Sequence, residues 1–438
     1  MRTEFFMNTP ICNFLEKYTN ENKLRLHMPG HNGEFPHDIT EVYGADSLYE
    51  SDKSGGIIGT SETLAASLFG AKQTCYSCGG STLAIQAGLA VLKSQGVKTI
   101  AASRYSHRAL ASAAAMLQMN VKWLYPDEFL SANVTYDTAA IRGADALFIT
   151  NVDCYGGTWK FVNPKIPTLI DNAHGAYLKF VDKRKFGTDY LHPMELGFPL
   201  ISAESAHKTL PVLTGGAYLH FSEGVDSSRA KEMMAMFGST SPSYLILESL
   251  DRFNSMIADN IQMINNACEA VAELKERLAV SGIPLVKSDP LRITINAREC
   301  GLSGIEYARG LRGNGVECEM ADENYVVLMF SGITTTEDCE RAEMGVLFVP
   351  MAPPKPLVKY PAIKPTANLP MWEAMYLPRK TVPIDKAGGE VCAEFTAKCP
   401  PGIPLIMPGE IIDHNVVEAL KAHGVEQISV VARATANG

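Results

Sequence analysis

Short apolar segments alternate with helical segments between about residue 65 and residue 220. Ser81–Ser94 has apolar residues at three- and four-residue intervals behind a Ser-Thr start, which predicts a capped helix. Arg108–Met119 is rich in alanine and predicts a second helix. Short apolar runs predict buried strands at Lys98–Ala102, Val121–Tyr125, Ala146–Thr150, Thr168–Ile170 and Leu200–Ser202. This alternation predicts an α/β fold with a mostly parallel sheet that is covered on both faces.

The pattern changes towards the C-terminus. Ser243–Leu278 predicts a long, largely helical stretch, and Leu291–Asn296 and Tyr325–Phe330 predict strands of a second unit. Prolines crowd residues 350–370, so we expect an irregular connector there. The resulting domain prediction is an N-terminal arm at 1–22, a large domain at 23–255 and one or more smaller α+β domains at 256–438.

Composition and charge limit the classes of function that we expect for the chain. The chain has 438 residues, of which 46% are hydrophobic and 20% charged, as is typical of a globular protein with two or three packed units. The net charge of −9 comes without a basic stripe, so we expect no nucleic-acid partner. We expect no membrane span and no signal peptide, which favours a cytoplasmic protein. The Cys75–Cys78 pair has no second ligand pair nearby, so we expect no metal site.

A glycine-rich segment precedes the first helix of the alternating region. Cys78–Ala84 (CGGSTLA) places Gly80 and the hydroxyls of Ser81 and Thr82 at the start of this helix. The free N–H groups and the positive dipole end of a helix suit an anion such as a phosphate. An ordinary turn with a helix cap is the alternative interpretation of the segment.

Two further residues follow strands of the same region. Asp171 stands at the end of an apolar strand, where it is either a ligand-binding carboxylate or a helix cap. Lys208 follows the next strand, with Ser205 and His207 beside it, although most lysines are surface residues. An anion cup, an aspartate and a lysine are what pyridoxal phosphate needs for its phosphate, ring nitrogen and aldehyde carbon.

Motifs along most of the chain resemble those of one enzyme family. In chain order they are HMPGHNG (27–33), DITEVYGADSLYES (38–51), GGIIGTSETLAASLFGA (55–71), CGGSTLA (78–84), SRYSHRAL (103–110), DNAHGA (171–176), SAHKTL (205–210) and CPPGIPLIMPGE (399–410). Together they resemble the Orn/Lys/Arg decarboxylases of the aspartate-aminotransferase fold type (fold type I), in the short form without a receiver-like N-terminal domain. Ala109 and Cys399 depart from residues that are frequent in the family, which leaves the shape of the substrate pocket open.

The resemblance implies a role for each matching residue. Lys208 would hold pyridoxal phosphate as a Schiff base, and Asp171 would keep the ring nitrogen protonated. Ser81, Thr82 and neighbouring Gly80 would hold the phosphate, with Ser205 and His207 beside them. His107 would stack on the ring, Ala173 and His174 would lie close to the cofactor, and Glu410 would face the distal amine of the substrate. Lys208 and His207 are the candidates for reprotonating Cα.

The implied activity is decarboxylation of lysine, arginine or ornithine. Other reactions of the same cofactor, by an aminotransferase or a carbon–carbon or carbon–sulfur lyase, are the alternative, as is a catalytically silent regulatory relative. The implied partners are a small amino-acid substrate and further copies of the chain, in a homodimer or a higher homo-oligomer.

Overall fold

The computed structural model describes residues 9–40, 42, 45–50, 56–125, 139–158, 162–359, 363–398 and 403–432. A seven-stranded sheet in the order β1-β7-β6-β5-β4-β2-β3 is the centre of the large domain. Its strands are β1 Gln73–Ser77, β2 Thr99–Ser103, β3 Asn120–Leu124, β4 Ala146–Thr150, β5 Thr168–Asp171, β6 Ile201–Glu204 and β7 Ala217–Phe221. Strands β2 to β6 are parallel, and β7 runs antiparallel to both of its neighbours. The predicted α/β fold with a mostly parallel sheet is confirmed.

Helices cover both faces of this sheet, so that every residue of β5, β6 and β7 is buried. Burial on both faces is expected of strands in a covered, mostly parallel sheet. The helices of the first 280 residues are α1 Pro10–Asn20, α2 Ile57–Phe69, α3 Gly80–Ser94, α4 Arg108–Met116, α5 Lys183–Phe186, α6 Ala206–Thr209, α7 Ala230–Ala235, α8 Tyr244–Asp259 and α9 Gln262–Val280. Short 3₁₀ turns lie at Ala176–Phe180 and Pro193–Glu195.

Each face of the main sheet packs against its own hydrophobic cluster. Helices α3, α4 and α7 pack on one face, and α1, α2, α8 and α9 contribute to the larger cluster on the other. Within that larger cluster, Ile11 and Leu15 of α1 are fully buried, and Asp251 of α8 accepts the N–H groups of Ile11 and Cys12. The start of the chain that the structure describes is therefore packed on the core.

A second sheet follows α9. It is antiparallel, has the order β10-β11-β9-β8 and is accompanied by two helices. These elements are β8 Leu285–Val286, β9 Arg292–Asn296, α10 Gly304–Gly313, β10 Met320–Ala321, β11 Tyr325–Met329 and α11 Thr336–Leu347. The sheet shares the larger hydrophobic cluster with the first domain, and the Thr294 hydroxyl of β9 donates to the Tyr155 carbonyl at 2.7 Å, in the segment after β4.

A third unit with a hydrophobic core of its own follows the proline-rich segment. The described residues of 350–370 contain no helix, as expected for a connector. The elements of the third unit are α12 Met371–Ala374, β12 Arg379–Pro383, a 3₁₀ turn at Ile384–Lys386, β13 Thr396–Lys398, β14 Ile403–Ile406, α13 His414–Ala422 and β15 Gln427–Val431. The exact domain boundaries stay a prediction. In the described ranges, no helix is both long and apolar enough to cross a membrane.

Candidate active site

The carboxyl ends of six strands lie along one edge of the main sheet. Strands β2 to β6 are parallel, and β1 points the same way as β6 because both are antiparallel to β7. In this register Asp171 lies between Thr150 and Ala203, and Ser77 lies opposite Ala217. The segments that follow these strands carry the expected site residues, which is why residues far apart in sequence converge here.

The glycine-rich segment forms a cup at the start of α3. Gly80 has a φ of +67°, a conformation that side chains rarely adopt, and its N–H donates to the Gly215 carbonyl at 2.8 Å. The Ser205 hydroxyl donates to the Ser81 hydroxyl at 2.8 Å and accepts the Ser81 N–H at 3.4 Å. Thr82 is exposed and lines an adjoining cavity of about 370 Å³. Two hydroxyls and a helix N-terminus are thus held together in a place that suits an anion.

His207 lies against this cup. A Cβ atom added to Gly80 would be 3.7 Å from Cε1 of His207. The Gly216 carbonyl lies 3.0 Å from Nδ1 of His207 and also accepts the His207 backbone N–H at 3.2 Å. Because a carbonyl can only accept, Nδ1 must carry a proton, and Nε2 of a neutral His207 ring is left as an acceptor.

Asp171 is a buried carboxylate at the end of β5. Its Oδ1 accepts the Ala173 N–H at 3.1 Å. Burial raises the pKa of Asp171, and the nearby His107 and Lys208 lower it by less. A carboxylate in such surroundings is stabilised by an adjacent cation, so Asp171 suits a positively charged ligand atom.

Lys208 lies in the single turn of helix that follows β6. Its Nζ is 2.9 Å from Nε2 of His174, which comes from the loop after β5. Burial lowers the pKa of Lys208, and the positive charge of Arg292 lowers it further, while Asp171 acts in the opposite direction. These surroundings favour the neutral amine, which is the nucleophilic form of lysine.

His107 is exposed at the same edge and caps α4. Its Nδ1 accepts the Ala109 N–H at 3.2 Å, so a neutral ring carries its proton on Nε2. Desolvation lowers the pKa of His107, and the Asp171 charge raises it by less. The capping bond fixes the direction of the ring, because the imidazole cannot rotate without losing it.

Glu410 lies further along this edge, in the third unit. Its two oxygens accept from Nη1 and Nη2 of Arg104 at 3.0 and 2.9 Å, and one of them also accepts the Met407 N–H at 2.9 Å. Arg104 follows β2 directly and is as deeply buried as Glu410. The pair must open before Glu410 can meet a substrate amine, so its expected substrate role stays a prediction. The first four residues of the motif 399–410, including Cys399, lie outside the described residues.

Sequence analysis did not identify two arginines of the site, Arg104 and Arg292. Arg104 stands inside the motif SRYSHRAL, but its partner Glu410 is 306 residues away. Arg292 begins β9 in the segment LRITIN, and its Nη2 lies 2.6 Å from Nδ1 of His174. A charged residue at the start of an apolar strand was the only signal for Arg292, and such a residue is usually at the surface.

The residues at this edge fit pyridoxal phosphate. The cup supplies hydroxyl and N–H donors for a phosphate, and the buried carboxylate of Asp171 suits a protonated ring nitrogen. The neutral amine of Lys208 suits attack on an aldehyde carbon. All three groups lie at the carboxyl ends of strands of one sheet, namely β1, β5 and β6.

Curated relatives of similar length match nearly the whole chain. The arginine decarboxylase of Bacillus subtilis is 26% identical over 454 residues, which cover 92% of this chain and 91% of the relative. The B. subtilis protein YaaO, described as uncharacterized, is 28% identical over 461 residues, or 94% of each chain. Among solved structures, the constitutive lysine decarboxylase of E. coli matches with a TM-score of 0.77 at 16% identity, over 97% of this chain and 82% of that one. This last likeness shows the fold.

Family models match two separate parts of the chain. The model of the Orn/Lys/Arg decarboxylase major domain matches residues 160–288, which include Asp171, His174 and Lys208. The model of the C-terminal domain of the same family matches residues 362–425, which include Glu410. The expected family resemblance is confirmed: both matching models describe the Orn/Lys/Arg decarboxylases, and the matches support a pyridoxal-phosphate-dependent amino-acid decarboxylase of fold type I.

Proposed function

We propose that the protein removes the α-carboxylate of a basic amino acid, with arginine as the first candidate, and releases carbon dioxide and the corresponding amine. The arginine decarboxylases among its full-length relatives support this choice of substrate. The observation that carries the proposal is the partly buried lysine Lys208, whose lowered pKa favours the reactive amine at the same sheet edge as the buried Asp171.

The geometry of this edge supports the proposed cofactor contacts. Lys208 would hold the cofactor covalently, and Asp171 would pair with the ring nitrogen. The phosphate would bind in the cup, where Gly80, Ser81, Thr82, Ser205 and His207 lie. His107 would cover one face of the ring, and Ala173 and His174 would flank it. When bound, pyridoxal phosphate supplies an electron-withdrawing ring that accepts the electron pair released at Cα.

Each proposed role uses a property of the side chain itself. The Asp171 carboxylate stabilises a proton on the ring nitrogen, because a buried anion raises the pKa of an adjacent cation. The Ser81 and Ser205 hydroxyls, held 2.8 Å apart, orient the phosphate. His107 keeps its ring fixed through the bond from Ala109. Lys208 or His207 would return a proton to Cα after carbon dioxide has left, since Lys208 follows β6 at this edge and His207 lies against the cup.

We also propose a homodimer or a larger homo-oligomer. Support comes from the segment of residues 24–35, in which the large apolar side chains of Leu24, Leu26, Met28 and Phe35 are 81%, 83%, 64% and 58% exposed. Neighbouring apolar side chains with this exposure are typical of a contact surface between proteins. Sedimentation velocity tests the assembly, and a monomer at micromolar concentration would contradict it.

Incubation of the cofactor-loaded protein with arginine, lysine and ornithine separately tests the proposed activity. We expect carbon dioxide and one amine in equal amounts from arginine, and neither product from the Lys208→Ala variant. Release from lysine or ornithine in place of arginine would move the proposal to that substrate. Formation of a keto acid, or no product from any of the three, would contradict decarboxylation.

A further inference from the structure

A chain of hydrogen-bonded side chains connects Arg292 of the second sheet to Lys208. Asp289 Oδ2 accepts from Nη1 of Arg292 at 2.9 Å, and Asp289 also accepts the hydroxyl of Tyr177. Nη2 of Arg292 lies 2.6 Å from Nδ1 of His174, and Nε2 of His174 lies 2.9 Å from Nζ of Lys208. Arg292 is fully buried, so its guanidinium group is held by these contacts without competition from water.

The chemistry of the donors fixes the direction of each bond. A guanidinium group can only donate, so Nδ1 of His174 must accept and cannot carry a proton. A neutral imidazole carries one proton, which must then be on Nε2. This N–H points at Lys208 and therefore needs a lone pair on Nζ, which only the neutral amine has. The hydrogen-bond directions from Arg292 through His174 to Lys208 are thus compatible with a neutral lysine and incompatible with an ammonium group.

We propose that Arg292 is a positioning residue that fixes the tautomer of His174 and so presents an N–H group to the free amine of Lys208. Its importance for the reaction rests on the proposed role of Lys208. The directions of these hydrogen bonds do not depend on the reaction and are the same in the protein without cofactor.

Burial and the charge of Arg292 favour the neutral forms of both His174 and Lys208. Burial lowers the pKa of His174 well below its usual range, and the positive charge of Arg292 lowers it further, so the imidazole stays neutral. Lys208 is also faced by Asp171, Glu319 and Cys154, which favour its charged form, but burial outweighs them. Arg292 thus disfavours the ammonium form of Lys208 both by its charge and through His174.

The tautomer can be measured in cofactor-free protein labelled with ¹⁵N-histidine. Long-range ¹H–¹⁵N spectra distinguish a proton on Nε2 from a proton on Nδ1, and the signal of His174 is the one that disappears in His174→Gln. We expect a neutral ring with the proton on Nε2 around neutral pH. A proton on Nδ1, or a charged ring, would overturn the proposal.

The variant that removes the donor is Arg292→Met combined with Asp289→Asn, which avoids leaving a buried carboxylate without its partner. In this variant we expect the neutral ring of His174 to carry its proton on Nδ1 in some molecules and on Nε2 in others. The rate at which acetic anhydride labels Lys208 at neutral pH should fall by up to about tenfold, the largest change that a rise of one unit in the lysine pKa can produce. Peptide mass spectrometry measures the labelling.

Arg277→Met is the matched control, because Arg277 also pairs with a carboxylate, that of Glu343, but does not contact His174. We expect it to leave both measurements unchanged. A merely structural role of Arg292 would lower stability and leave the tautomer and the labelling rate as in the native protein, which would overturn the proposal. Failure to decarboxylate any amino acid, with the native tautomer in place, would contradict the proposed function alone.

Discussion

Replacing Glu410 by glutamine separates a structural role of this residue from a substrate-binding role. The Glu410 and Arg104 side chains are only 6% and 3% exposed and form two hydrogen bonds with each other. Burial raises the pKa of Glu410 by more than Arg104 and the Met407 N–H lower it. Desolvation of the Glu410 carboxylate therefore outweighs the attraction of its partners, as is common for carboxylates in buried ion pairs.

The neutral side chain of the Glu410→Gln variant leaves the Arg104 charge buried without a counterion. Removal of one partner of a buried pair costs about 3–5 kcal/mol of the free energy of unfolding. Replacement of both residues by methionine should cost much less, because no charge remains in the protein interior. Urea unfolding followed by circular dichroism measures both changes, and hydrogen exchange of residues 403–432 locates the loss in the third unit.

Glu317→Gln is the control for the Glu410 variant. Glu317 also forms two hydrogen bonds with an arginine, Arg312, but the two side chains are 65% and 62% exposed. Water screens this pair, so we expect little change in stability. If Glu410→Gln destabilised the protein no more than this control and instead raised KM for the substrate, the structural account of the pair would be refuted and the substrate role supported.

Two further predictions concern the cofactor residues. Asp171→Asn should lower kcat by on the order of 100-fold or more, because the ring nitrogen loses its anionic partner; steady-state kinetics measures this, and unchanged turnover would remove Asp171 from the mechanism. Capture of pyridoxal phosphate by the cofactor-free protein should speed up with rising pH and level off below the ordinary lysine range, because only the neutral amine reacts and the pKa of Lys208 is lowered. Stopped-flow absorbance measures the rate, and a profile that follows an ordinary lysine would contradict the lowered pKa.

The alternating part of the fold was predictable from the sequence because buried strands and covering helices leave separate local patterns. Ala146–Thr150 was predicted with its observed bounds, and Ser81–Ser94 differs from the observed helix by one residue. The strands β1 and β7 were missed, since QTCYS and AYLHF mix polar and apolar residues and contain no long apolar run. The predicted helical stretch Ser243–Leu278 is two helices, because the backbone leaves the helical conformation at Asn260.

The candidate site was predictable where local motifs carry it, as for the cup at Ser81, the strand-end Asp171 and Lys208. Contacts between distant segments were not predictable. Arg292 reaches His174 across 118 residues, and the pairing of Arg104 with Glu410 spans two units of the fold. Such contacts depend on how the sheets pack against each other, and a local pattern of polar and apolar residues contains no record of that packing.

Borohydride reduction of the cofactor-loaded protein, followed by peptide mass mapping, tests the central claim most directly. Reduction makes the bond between the cofactor and its lysine permanent, so the modified peptide identifies that lysine. Lys275 is an internal comparison, because it is also partly buried and burial lowers its pKa as well. Our account predicts the pyridoxyl group on Lys208 and none on Lys275. A modified Lys275, or any modified lysine other than Lys208, would contradict the account.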